Sequence, residues 1–114
     1  MYTESELEEM ANEALKNGNW MIRRSDGGKA YGGFQWSPVG EWTVSPDWNL
    51  SPVCGNGLHG VGAESSGWYS DGKDVDFCIT EGEVVVDIDD QKIKVEKAMV
   101  VMRNRLPENL SMGS

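Results

Sequence analysis

The run from Val75 to Met102 constrains this chain most, because its apolar residues recur at a spacing that suits strands and its breaks are too short for anything but tight connections. Val75-Asp76-Phe77-Cys78-Ile79 and Glu83-Val84-Val85-Val86-Asp87-Ile88 are rich in β-branched and aromatic side chains and read as two strands joined by a short Glu81-Gly82 turn region. Asp89-Asp90-Gln91 supplies a second turn. In Lys92-Ile93-Lys94-Val95-Glu96 the alternation directs Ile93 and Val95 inward and the charged residues outward, and Ala98 to Met102 is apolar enough for a buried strand. Short turns make such strands antiparallel neighbours.

A helix is expected at the other end. Thr3-Glu4-Ser5-Glu6 has the spacing of a capping box, in which the threonine hydroxyl and the glutamate satisfy each other's backbone amides. Leu7, Met10, Ala11, Ala14 and Leu15 then share one face, and Asn17-Gly18 offers a left-handed stop, so the helix covers about residues 4–16. With 114 residues and an apolar share of 39%, the chain has material for one modest core. The expected fold class is therefore α+β, residues 1–114 forming a single domain in which the N-terminal helix packs on a twisted, mainly antiparallel sheet. Within it, short strands and a Cys/His loop occupy 19–60, antiparallel strands occupy 73–103, and 104–114 forms a flexible tail.

The middle is harder to order. Asn19 to Arg24 suits a short strand, Ser25-Asp26-Gly27-Gly28 a turn, and Tyr31 to Trp36 and Glu41 to Val44 two further strands. Pro38, Pro46 and Pro52 break the span from 37 to 53 into extended pieces that rely on a crosslink or on large side chains, and 61–72 is loop-like. Trp20, Trp36, Trp42, Trp48 and Trp68 suit a small core filled by broad rings, with an aromatic binding pocket as the functional alternative.

A crosslink is available in Cys54-Gly55-Asn56-Gly57-Leu58-His59-Gly60, which joins a thiol to the only histidine across a pliable loop. Thiolate and imidazole are zinc ligands, and Cys78 supplies another sulfur. The expected structural Zn2+ site is Cys54, His59, Cys78 and Asp47, with Asp76 or water competing for the fourth place and the loop-rich centre tied by the metal. The plain alternative makes both cysteines small buried residues and His59 a turn residue. Glu64 would be the general base of a catalytic zinc, but the His-x-Glu and His-Glu-x-x-His spacings that place such a base are absent. No Gly-x-Ser-x-Gly and no phosphate loop occur either, so the reading is non-catalytic.

A formal charge of -9 disfavours a nucleic-acid backbone as partner and favours a basic protein surface. Asp71, Asp74, Glu81, Glu83, Asp87, Asp89 and Asp90 fall in one segment and form the expected partner-binding edge. Their structural alternative is to deter edge-to-edge aggregation. Calcium at Asp87, Asp89 and Asp90 lacks the twelve-residue loop and its terminal glutamate. No run of about 18 apolar residues occurs and the N-terminus is acidic, so a soluble, cytoplasmic monomer is expected, with no membrane span and no secretory signal. The missing signal also argues against a Cys54 to Cys78 disulfide.

Gly33-Phe34-Gln35-Trp36, Pro46-Asp47-Trp48-Asn49, the Cys54 to Gly60 loop and the Val-rich strand before Lys92-Ile93-Lys94-Val95 together resemble a group of phage and prophage-associated proteins. The resemblance runs over roughly 33–101 and implies a viral or mobile-element origin in a bacterial host. In general character the chain is similar to zinc-containing anti-CRISPR inhibitors of Cas9. That similarity implies a protein that binds a host Cas9-type effector near its positively charged channel and blocks DNA loading. A phage accessory or structural module and a small metal-dependent enzyme are the two alternatives.

Overall fold

The computed structural model describes residues 1–29, 34–51, 57–62, 73–86 and 92–108. Along the chain they form α1 (Glu4–Asn17), β1 (Trp20–Ser25), β2 (Trp42–Val44), β3 (Leu58–Gly62), β4 (Asp74–Val86) and β5 (Ile93–Arg103). The sheet order is β2-β5-β3-β1-β4, every pairing is antiparallel, and β4 pairs with β5 as well, so the sheet closes on itself like a barrel.

The helix begins where its capping box places it. The amide of Glu6 donates to Thr3 Oγ1 at 3.1 Å and the amide of Thr3 to Glu6 Oε1 at 2.8 Å. It stops at Gly18, whose φ of 77° is costly for any residue with a Cβ. Leu7, Ala11 and Ala14 are buried against Ile22, Phe77, Ile79, Met99, Val101 and Met102 on the outside of the barrel. Met21, Trp36, Leu58, Cys78, Ile93, Val95, Ala98 and Val100 fill its inside. The barrel wall is thus apolar on both faces, which is why Ala98 to Met102 of β5 reads as a continuous hydrophobic run.

Two expected breaks are continuous strand. Glu81-Gly82 is a bulge within β4: Glu81 lies opposite Lys97 and Val84 opposite Val95, so one extra residue is taken up on β4, with Gly82 at a φ of 92°. The separate pieces expected at 92–96 and 98–102 are one strand, β5, because β4 pairs along its whole length. Leu58 to Gly62, expected as loop, is β3. Its glycines reflect crowding rather than a turn. A Cβ on Gly60 would overlap the Met21 side chain and stand 2.7 Å from the Ile22 carbonyl, and one on Gly62 would stand 2.9 Å from the Trp20 carbonyl.

Of the tail expected at 104–114, residues 109–114 lie outside the described residues, and the start is tied to the fold. Asn104, at a φ of 61°, donates its amide to the Val75 carbonyl at 2.7 Å, and Arg105 pairs with Glu4 and Glu8 of the helix. Of the expected strand Tyr31 to Trp36, residues 31–33 lie outside the described residues, and Gln35 makes a bridge to Lys29.

Candidate functional site

The densest polar group lies inside the barrel wall. Alternation along β1 puts Met21, Arg23 and Ser25 on the inner face, and along β4 it puts Asp76 and Cys78 there. Asp76 is fully buried and accepts from Arg103 Nε at 2.7 Å, Arg103 Nη2 at 3.3 Å and Ser25 Oγ at 2.7 Å. Ser25 Oγ in turn accepts from the Gly28 amide at 3.1 Å. Arg103 reaches this face because β5 carries a register shift opposite Phe77 and Cys78, which turns Met102 to the helix side and the next residue inward. Its hydrogen bond to Asp76 raises the guanidinium above its usual range. Arg23 is buried as well, with its guanidinium carbon 4.0 Å from the centre of the Trp36 ring.

Beside this network sits Cys78, with no exposed surface. Burial, and then the Asp76 carboxylate, push its thiol far above the ordinary cysteine range. His59 alternates with Leu58 and Gly60 on β3; Leu58 faces the barrel interior, which turns His59 to the other side of the wall, opposite Lys94. Asp47 is exposed in the turn after β2 and accepts from Ser45 Oγ at 3.1 Å. Cys54 and Glu64 lie outside the described residues. Cys78 and His59 are therefore not brought together, and no group of three or more His, Cys, Asp or Glu side chains able to hold a metal occurs among the described residues.

Lys94 also departs from its expected setting. It does point away from the barrel interior, yet it is wholly buried, its Nζ 3.3 Å from Asn49 Oδ1 and 5.4 Å from the Trp48 ring. The segment after β2 covers it. Trp48 is thus a lid over a lysine stem, Trp42 lies under Lys97, and Trp20 stacks on Phe77 with ring centres 5.9 Å apart. These are packing roles; Trp68 lies outside the described residues.

The acidic segment divides in two. Asp74 is occupied within the fold, accepting from the Gly27 amide at 2.8 Å and from Asn104 Nδ2 at 2.9 Å, and these bonds hold its carboxyl below the usual aspartate range, that from Asn104 most. Glu81 and Glu83 stand exposed beside the β4 bulge, and Glu81 pairs with Lys97 at 3.3 Å. Asp71, Asp87, Asp89 and Asp90 lie outside the described residues. On the helix, Glu9 and Glu13 are also exposed.

Sequence reasoning missed Arg23, Ser25 and Arg103. The first two were signalled by their spacing of two from Met21, which fixes one face of a strand. Arg103 carried no such signal, since a bulge decides its side.

No described helix is long and apolar enough to cross a membrane. Residues 20–112 match the sequence profile of a family described as a domain of unknown function, DUF7666. Comparison with curated proteins and with solved structures gives no match.

Proposed function

The chain belongs to the DUF7666 family, and on that premise we propose that it is a non-catalytic acidic module that docks on a basic surface of a host nucleic-acid-handling protein. A Cas9-type effector is the specific target advanced here, with the bound module obstructing DNA loading. The observation that carries the reading is charge: a formal -9 on 114 residues, with exposed glutamates on both α1 and β4. A surface of that sign is attracted to a channel that holds nucleic acid, and it gains on-rate and orientation from the attraction. The buried Asp76 and Ser25 and the half-buried Arg103 lend support of another kind, since their hydrogen bonds are made to one another inside the wall.

The test is guide-directed DNA cleavage with and without the protein, together with co-elution of protein and effector at rising salt. Inhibition that weakens as salt screens the charges supports the proposal. Undiminished cleavage across several effectors, with no co-elution, refutes the Cas9-type target.

A further inference from the structure

Closure of the barrel pairs nearly every strand on both sides, and where it fails to do so is informative. The amide of Thr80 donates to the carbonyl of Asn19, so Asn19, Met21 and Arg23 direct their backbone groups toward β4 and Ile22 directs its own toward Val61 of β3. On β3, Leu58 and Gly60 therefore bond to Val95 and Ile93, and Lys94, between these two, bonds to Val85 of β4. Thr80, Val84 and Val86 have backbone groups that point the other way, away from β5. For Thr80 that direction is filled, since its amide donates to the Asn19 carbonyl at 3.0 Å. Beyond it β1 has ended, and no described residue pairs with the far edge of β4 over Glu81 to Val86.

From this we infer that the edge of β4 between Glu81 and Val86, which no described residue pairs, receives an extended, basic segment of the partner as an added strand, an inference that rests on the proposed acidic docking for the partner's sign. Backbone pairing to an open edge supplies the binding geometry in such additions, and side chains flanking the edge select the sequence. Here the flanking side chains are the exposed Glu81 and Glu83. The same charges repel a second copy of this chain, whose own β4 would bring glutamates against glutamates. They accept lysine or arginine at alternate positions of an incoming strand. The edge of β2 is a poorer platform, being three residues long and flanked by Pro38 and Pro46.

The test uses the full chain, 15N-labelled, and a blocked octapeptide of alternating lysine and threonine. Amide exchange at Val84 and Val86 is expected to slow at least about tenfold on saturation, and Glu83→Lys to weaken binding by roughly tenfold, since it turns a cross-strand attraction into a repulsion. A glutamate-threonine octapeptide, and a lysine-threonine octapeptide N-methylated on alternate amides, should give no protection. Equal protection by the N-methylated peptide, or shifts confined to α1, would overturn the inference. So would protection that appears with rising protein concentration alone, which would identify a second copy as the occupant. Peptide binding at β4 without inhibition of any effector would defeat the proposed function and leave the edge assignment standing. Effector inhibition unchanged in Glu83→Lys, with no peptide protection, would do the reverse.

Discussion

Replacing Asp76 with alanine probes the barrel's inner polar network at its centre. The carboxylate has no exposed surface, whereas Arg103 retains 24% side-chain exposure. Deleting it removes three hydrogen bonds, two of them from the guanidinium, and strands a cation that water reaches only in part. Breaking a fully buried ion pair from one side costs about 3–5 kcal/mol. Partial exposure of Arg103 places this case at the lower end, about 3 kcal/mol, because the orphaned charge recovers some hydration. In a domain whose whole stability is about 5–15 kcal/mol, that loss is large and lowers the melting temperature by roughly 10–20 °C. Urea unfolding followed by tryptophan fluorescence measures it. The double variant Asp76→Leu with Arg103→Met should recover most of the loss, since an apolar pair leaves no buried charge behind. A loss under about 1 kcal/mol for Asp76→Ala, or a double variant as unstable as the sum of both single ones, refutes the reasoning.

Other consequences are measurable with the same material. Gly60→Ala forces a methyl against the Ile22 carbonyl, a backbone atom that cannot rotate away, and should cost about 1–3 kcal/mol in thermal or urea unfolding; Gly27→Ala, where a Cβ meets open space, pays only for its positive φ and should cost less. Asp74, with its native pKa depressed below the ordinary 3.8, stabilises the fold above that value and loses the contribution as pH falls through the lower native one. In acid titrations of stability, Asp74→Asn should therefore flatten the profile in that range, and an unaltered profile would remove Asp74 from the account. Zinc tied by Cys54 and His59 predicts about one equivalent of metal in protein purified without added zinc, lowered by Cys54→Ser. Cys78→Ser should leave the metal content unchanged, and a parallel loss would show that Cys78 is a ligand after all. In native protein the Cys78 thiol should react with a disulfide reagent only as fast as the fold opens, because burial both hides it and keeps it protonated.

Local signals carried most of the architecture. Thr3, Glu6 and Gly18 bracket the helix through bonds made within a few residues of each other, and the alternation at Ile93 and Val95 marks the inner face whatever strand lies alongside. The candidate site was less legible, because its members come from distant parts of the chain. Asp76 and Cys78 share a face by spacing alone, but whether that face meets a metal or an arginine depends on Arg103, which a bulge turns inward. Lys94 shows the same limit: alternation correctly sends it away from the barrel interior, and nothing nearby announces that Trp48 and Asn49 will cover it.

By itself, then, the sequence determined a capped amphipathic helix, a run of antiparallel strands and a strongly negative surface, since each follows from short-range bonding, side-chain period or simple charge. Only the tertiary structure decided that the sheet would close through β4 and β5, that the glycines of β3 serve close packing on Met21 and Ile22, and that His59 and Cys78 would face opposite sides of one wall. Closure joins residues far apart in the chain, and the side on which a side chain emerges then depends on bulges and neighbours that no local pattern encodes.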